Sequence, residues 1–165
     1  MINDLEPLNN THKTMYFCSG EKMLDAWLQE KALKNSANNA SKTFVMTNER
    51  NEIIAYYCLS SGSMMRNEAA SRISRNMPAQ IPIVLLGRLA VHYDYQGRSF
   101  GRWLIRDAAF RCCQVAEIIG AKALVAHAIS EPAKQFYFSV GFVQSPLRPM
   151  TMMISLQDLK KAFNL

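Results

Sequence analysis

The chain lacks long apolar runs, and its first residues do not resemble a signal peptide. No stretch of its 165 residues approaches the length of roughly 18 uninterrupted apolar residues that a membrane helix needs. The polar N-terminus, MINDLEPLNNTHK, has no hydrophobic segment of the kind found in a signal peptide. These two absences predict a soluble, cytoplasmic protein with no membrane partner.

The chain also has few cysteines and histidines, and their spacing is wrong for metal binding. Its four cysteines form no C-x-x-C pair, and its three histidines are scattered along the sequence. This pattern excludes the common zinc sites and is typical of reduced thiols that pack as small apolar side chains. We therefore predict that the protein uses no metal.

Acidic residues are in the minority. Lys and Arg number 19 against 13 Asp and Glu, which gives a formal net charge of +6 and a sequence pI near 9.3. Such an excess favours an anionic substrate or a polyanionic partner. The hydrophobic fraction of 49% suffices for one ordinary core, so we predict a single domain over residues 1–165.

Apolar periodicity predicts alternating strands and helices, which makes an α/β protein with a mixed sheet layered by helices. A first helix is expected over 20–36, with Ser19 as its N-cap. Its apolar face is predicted to hold Met23, Leu24, Trp27, Leu28 and Leu33. A later helix is expected to begin after Ser130 and to end at Gly141. The predicted strands are 43–47, 53–64, 81–93, 122–129 and a broken pair in 142–154, and the other helices are 101–119 and one that begins at residue 155.

The stretch QGRSFG, residues 96–101, lies between a buried strand and an amphipathic helix. A helix N-terminus offers free backbone N–H groups, glycine allows close approach, and Arg98 and Arg102 add positive charge, so the loop suits a pyrophosphate. It matches neither the Walker A loop nor the three-glycine dinucleotide fingerprint. From the loop alone, an ordinary strand-to-helix turn is an equally good interpretation.

This loop resembles the pyrophosphate loop of the GNAT superfamily of acyl-CoA acyltransferases, whose pattern is Q/R-x-x-G-x-G/A. Gln96 and Gly101 match the pattern, and Ser99 stands where the family usually has glycine. The resemblance covers nearly the whole chain. Within the superfamily, the chain is similar to one branch, the acetyltransferase toxins of bacterial toxin–antitoxin pairs. The segments that carry it are GRLAV, CSGEKMLDAWLQEKA, HAISEPAKQFYFSVGF and PLRPMTMMISLQDL.

The resemblance implies a GNAT fold, a central mixed and mostly antiparallel twisted sheet flanked by helices. It implies transfer of acetyl from acetyl-CoA to the α-amino group of aminoacyl-tRNA, which blocks translation, with Tyr137 as the general acid for the departing thiolate. It also implies a homodimer and a ribbon-helix-helix antitoxin, with DNA bound only through the antitoxin complex. The implied acetyl-CoA-binding residues are Leu89, Ala90, Val91, Gln96, Gly97, Arg98, Ser99, Phe100, Gly101 and Ser130.

Four arginines are candidates for contact with tRNA. Arg66, Arg72 and Arg75 belong to the unusually basic segment 66–75, and Arg88 lies inside an apolar strand, where an arginine needs a partner. The alternative for each of them is ordinary solvated surface charge or, for Arg88, an anchor at a strand edge.

Several alternatives stay open at this stage. An aromatic residue at helical spacing is more often core, and only the resemblance favours a catalytic Tyr137. No general base is apparent in the sequence. The enzyme could act on another amine, such as a polyamine, an antibiotic or a protein N-terminus. The serine at position 99 would also suit a module that binds CoA without catalysis.

Overall fold

The computed structural model describes all residues from 1 to 165. Its strands are β1 Glu6–Pro7, β2 Lys42–Thr47, β3 Ile53–Met65, β4 Gln80–Val91, β5 Ala123–His127, β6 Val143–Gln144 and β7 Thr151–Ser155. Its helices are α1 Lys22–Glu30, α2 Ala32–Ala37, α3 Ser71–Ser74, α4 Phe100–Ala116, α5 Glu131–Val140 and α6 Leu156–Phe163. None of the helices combines the length and the apolar character needed to cross a membrane.

The strands form one seven-stranded mixed sheet in the order β1-β2-β3-β4-β5-β7-β6. The pairs β1–β2, β2–β3, β5–β7 and β6–β7 are antiparallel, and β4–β5 is parallel. A parallel pair needs a crossover connection, and α4 supplies it between β4 and β5. The predicted fold, a mixed and mostly antiparallel sheet flanked by helices, is confirmed.

The contacts of the chain group into two compact units. The first unit comprises Met1–Ser60 and Gly87–Asp107, and the second comprises Ser61–Leu86 and Ala108–Leu165. Each has its own apolar cluster, with Trp27 and Leu28 among the buried residues of the first unit and Ile73 among those of the second. The single domain expected over residues 1–165 stays a prediction.

The two predicted ends of α5 formed where the sequence placed them. The Ser130 hydroxyl accepts a hydrogen bond from the Ala133 N–H at 3.2 Å and begins α5. Gly141, with φ at +114°, ends that helix in the left-handed conformation that glycine adopts at little cost. Because caps depend on residues a few positions apart, they are among the most predictable features of a chain.

The prediction of the first helix was wrong in the extent of the helix and in part of its buried face. Residues 20–36 form two helices that are separated at Lys31, whose φ is −118°. The Ser19 hydroxyl does not cap α1, because it donates instead to the Asp25 carboxylate at 2.7 Å. Met23 is 80% exposed and Leu33 is also exposed, while Leu24, Trp27 and Leu28 provide the buried face.

Candidate active site

The loop between β4 and α4 has the backbone shape of an anion-binding site. Gly97 has φ +77° and Ser99 has φ +67°, while Arg98 between them has no positive φ. Such an alternation turns successive N–H groups toward one concave side, and the first N–H groups of α4 extend this set. The loop therefore fits a pyrophosphate by its backbone as well as by its charge.

Ser99 adopts the conformation for which the family usually has glycine. A left-handed φ costs a non-glycine residue about 1–2 kcal/mol, and strain of this kind is typical of functional loops. The Ser99 carbonyl accepts a hydrogen bond from the Trp103 N–H at 3.2 Å, so this residue opens α4. The serine thus preserves the turn that the sequence left in question.

Gln96 holds the loop in place through two backbone carbonyls. Its Nε2 donates to the carbonyl of Ser19 and to that of Val91, both at 2.8 Å. Nearby, the Tyr93 N–H donates to the Cys18 carbonyl at 2.9 Å. The match of Gln96 to the family pattern therefore has a structural reason, since its side chain ties the loop to the end of β4 and to the segment before α1.

The end of β4 presents a free strand edge. The register pairs between β4 and β5 run from Ile83 to Leu86, whereas β4 continues to Val91. Leu89, Ala90 and Val91 therefore lie beyond the last residue that pairs with β5. Backbone groups on such an edge bind the amides of an extended ligand, which is the role that the resemblance implied for these three residues.

His92 and the tyrosines around it form the support beneath the loop. The His92 ring is buried and stacks on Tyr16 with centroids 4.4 Å apart. Its Nδ1 accepts the Asp94 N–H at 3.1 Å. Arg98 lies over the Tyr95 ring, 5.4 Å from its centroid. These contacts give His92 a packing role and place a fixed cation within the loop.

In the second unit, Tyr137 is carried by α5 and is buried. Its ring contacts those of Phe136 and Phe142, with centroids 5.4 and 5.1 Å apart. Burial on a helix face agrees with the core interpretation of its spacing and equally provides the rigid support that a catalytic phenol needs. Its role as general acid stays a prediction, as does the role of Ser130 toward acetyl-CoA.

A groove of about 620 Å³ opens at the carboxyl end of β5. Its polar groups satisfy one another, because His127 Nδ1 lies 3.0 Å from Thr151 Oγ1 and Arg148 Nε donates to Glu68 Oε2 at 3.0 Å. The remaining lining is largely apolar: Met64, Ile83, Leu85, Val125, Leu147, Pro149 and Met150. Ligands of open α/β sheets bind at this end of parallel strands.

The candidate tRNA-binding arginines are divided between the units. Arg66, Arg72 and Arg75 lie in the second unit, and Arg88 lies in the first. Arg72 pairs with Asp158 at 2.9 Å, which neutralises part of the predicted basic segment. Ile73, in the middle of that segment, is fully buried. Arg88 contacts no carboxylate and lies 4.5 Å from the centre of the Trp27 ring.

Sequence reasoning missed the groove and the anchoring of Gln96. Both depend on residues far apart in the chain, such as Glu68 with Arg148 and Gln96 with Ser19. The only available signal was the alternation of small and apolar residues in β3 and β4, which indicates a packed strand as readily as a groove. No three His, Cys, Asp or Glu side chains gather in a way that could hold a metal ion.

Comparison with known proteins defines the class of this protein. Residues 39–144 match the family model of the acetyltransferase (GNAT) domain. A tRNA-acetylating toxin of Mycobacterium tuberculosis is 40% identical over 144 residues, which cover 87% of this chain and 86% of the toxin. The chain therefore belongs to the GNAT family of acetyltransferases, and this toxin is one of its relatives.

Solved structures confirm the fold. A tyrosine-to-phenylalanine mutant of KacT superposes with a TM-score of 0.91 at 21% identity, covering 98% of this chain and 99% of the other. AtaT complexed with acetyl-methionyl-tRNAfMet gives 0.90 at 21% identity, with 99% of both chains covered. An AtaT mutant bound to the C-terminus of the antitoxin AtaR and acetyl-CoA gives 0.83 at 22% identity, covering 100% and 99%.

Proposed function

We propose that this acetyltransferase transfers acetyl from acetyl-CoA to the α-amino group of aminoacyl-tRNA and acts as the toxin of a toxin–antitoxin pair. The observation that carries the proposal is the loop after β4, in which Gly97 and Ser99 have positive φ, in a chain 40% identical to a tRNA-acetylating toxin. The net charge of +6 supports an RNA substrate, since phosphates attract a basic protein at long range.

The first unit offers acetyl-CoA two places of contact, one for its pantetheine and one for its pyrophosphate. The free edge at Leu89–Val91 suits the pantetheine amides, and the N–H groups of Gly97–Gly101 suit the pyrophosphate. Arg98, held over Tyr95, adds a charge that does not have to be ordered when the ligand binds. Ser99 keeps the glycine-like turn, which removes the main reason to favour a module without catalysis.

The chemistry needs a neutral amine, a polarised carbonyl and a proton for the leaving thiolate. The amine of an aminoacyl ester is less basic than that of lysine, so a neutral fraction is available without a dedicated strong base. The amine nitrogen forms the new bond to the acetyl carbon, the carbon–sulfur bond breaks, and the sulfur takes the electron pair. Tyr137 donates its hydroxyl proton to this thiolate, and the tyrosinate then takes up the proton that the amine nitrogen releases.

The groove in the second unit suits the aminoacyl end of the substrate. Its charged groups are paired with each other and its lining is largely apolar. A positively charged polyamine would need unpaired carboxylates in such a site, and Glu68 is already bound to Arg148. This arrangement favours an aminoacyl ester over a polyamine.

The partner proteins follow from the same proposal. A ribbon-helix-helix antitoxin would neutralise the toxin through its C-terminal segment and would link it to DNA, and a second copy of the chain would complete a homodimer. In support, the structural relative AtaT has been solved with the C-terminus of its antitoxin AtaR, and an AtaT–AtaR complex has been solved bound to DNA.

The test uses purified protein, radiolabelled acetyl-CoA and total tRNA that is either charged or stripped of its amino acids. We expect label in the RNA fraction only when the tRNA is charged. Label on a polyamine or on a protein N-terminus, with none on charged tRNA, would replace this proposal with an acetyltransferase for another amine.

A further inference from the structure

Arg88 is a charged side chain of the first unit to which the proposed acetyl-CoA contacts give no role. It lies inside β4, directly before the free edge at Leu89–Val91. No acidic group lies within ion-pair distance of it, and it is only partly exposed. An arginine that is partly buried and has no carboxylate partner keeps its charge available to a ligand. Such a group is a candidate for binding an anionic ligand.

Arg88 is also held in a fixed position. Its guanidinium lies 4.5 Å from the centre of the Trp27 ring, and Trp27 itself stacks on Tyr56 at 6.0 Å with the planes 12° apart. The Tyr56 hydroxyl donates to the Leu24 carbonyl at 2.7 Å, which fixes this stack against α1. Stacking orients the guanidinium and leaves its charge unneutralised, although one of its N–H groups lies within hydrogen-bond reach of the Cys58 sulfur.

The packing around Gly87 sets the backbone beside this arginine. A Cβ at Gly87 would lie 3.0 Å from the Cys58 sulfur, so only glycine fits there without movement. Burial raises the pKa of the Cys58 thiol, and the nearby Arg88 charge opposes that shift. The uncharged thiol therefore packs against the strand without neutralising Arg88.

The position of Arg88 along β4 separates it from the anions of acetyl-CoA. The pyrophosphate loop follows Val91, whereas Arg88 precedes Leu89, and three residues of strand span about 10 Å. In the proposed arrangement the pantetheine lies between them, so Arg88 belongs to the end where the thioester meets the acceptor. The nearest anion of an aminoacyl-tRNA at that point is the 5′-phosphate of its terminal adenosine.

We propose that Arg88 binds the phosphate of the terminal nucleotide of the charged tRNA, as a preorganised anchor that sets the position of the aminoacyl ester. This inference rests on the proposed function and assigns a specific role to one residue. It distinguishes Arg88 from the exposed arginines, whose charge attracts RNA without fixing its position.

The experiment compares two minimal acceptors, 3′-O-aminoacyl-adenosine and 3′-O-aminoacyl-adenosine 5′-phosphate, which differ only in the phosphate. We expect the wild-type protein to prefer the phosphorylated acceptor in kcat/KM by about ten- to a hundredfold, as a charge-assisted hydrogen bond allows. Arg88→Gln should reduce this preference to near one, and Arg88→Lys should retain part of it.

The matched control is Arg106→Gln, because Arg106 also lies over a tryptophan, 5.8 Å from the Trp103 ring centre, but on the exposed surface. We expect this variant to keep the wild-type preference. Equal loss on both acceptors in Arg88→Gln would overturn the proposal and assign Arg88 to packing, as would an unchanged preference with a weakened affinity for acetyl-CoA. If the wild-type protein acetylates neither these acceptors nor charged tRNA, the proposed function itself fails.

Discussion

The arginines of the segment 87–107 in the first unit and those of the second unit that form ion pairs have different partners. In the segment 87–107 of the first unit, three arginines lie over aromatic rings: Arg88 over Trp27, Arg98 over Tyr95 and Arg106 over Trp103. In the second unit, Arg72 pairs with Asp158 and Arg148 pairs with Glu68. A ring orients a guanidinium and leaves its charge intact, while a carboxylate neutralises it.

This difference separates the two kinds of binding that the proposed reaction requires. The first unit has unneutralised cations beside a backbone suited to phosphate, so it suits the anionic ends of both substrates. The second unit has a groove whose charges cancel, so it suits an uncharged aminoacyl group. It also carries the buried phenol of Tyr137. Partner type, more than the number of basic residues, therefore distinguishes binding arginines from structural ones.

The largest expected effect comes from the second unit. Tyr137→Phe keeps the ring packing against Phe136 and Phe142 but removes the proton donor. We expect kcat for acetyl transfer to fall by about 10²- to 10⁴-fold with little change in acetyl-CoA affinity. Tyr93→Phe, at a tyrosine that is 58% exposed, is the control and should keep the wild-type rate. Wild-type turnover by Tyr137→Phe would show that another group protonates the thiolate.

The next effect compares an arginine of each kind. Arg98→Gln should raise the KM for acetyl-CoA by about tenfold, since an exposed contact to a charged ligand lies at the low end of the range of about 1.5–3 kcal/mol. Arg72→Gln should change it by less than about twofold, because Arg72 is an exposed ion-pair partner of modest energetic value. Steady-state kinetics at two salt concentrations measures both. Equal changes in the two variants would remove the distinction between stacked and paired arginines.

A smaller effect concerns the strained turn. Ser99→Gly should relieve about 1–2 kcal/mol of conformational cost and raise the Tm by a few degrees, with acetyl-CoA affinity kept. Ser99→Val should lower the Tm, because a β-branched residue at positive φ is strongly disfavoured. Thermal unfolding followed by circular dichroism is the measurement. A glycine variant less stable than the wild type would mean that the serine hydroxyl, and not the turn, matters at this position.

The smallest effect concerns Ser130, which the resemblance assigned to acetyl-CoA and which the structure uses as a helix cap. Ser130→Ala should cost about 1 kcal/mol of stability, and Ser130→Asp should restore it because aspartate also caps helices. If the side chain serves only as a cap, the KM for acetyl-CoA follows neither change. A KM that rises in Ser130→Ala without any loss of stability would instead place the hydroxyl on the ligand.

Local features of the fold were predictable from the sequence, and distant contacts were not. The cap at Ser130 and the turn at Gly141 depend on neighbouring residues, and both formed as expected, whereas Ser19 bonds to Asp25 and does not cap α1. The break at Lys31 was missed because both halves of that segment keep helical periodicity. The loop at 96–101 was found by its glycines and charge.

The partners of the arginines could not be predicted in the same way. Arg72 and Asp158 are 86 residues apart in sequence, and Arg148 and Glu68 are 80 apart. Composition identified the basic segment 66–75 as the best surface for RNA, but it could not indicate that one of its charges is paired. Only the fold shows which cations are left for a ligand.

The most direct test of the proposed reaction identifies the acetylated atom. Charged tRNA is incubated with acetyl-CoA and the wild-type protein, digested with nuclease, and examined by mass spectrometry. We predict N-acetyl-aminoacyl-adenosine from the 3′ end, formed by the wild-type protein and reduced to traces with Tyr137→Phe. Acetyl on a nucleobase, or no acetylated nucleoside while acetyl-CoA is still consumed, would contradict the proposal that the aminoacyl amine is the acceptor.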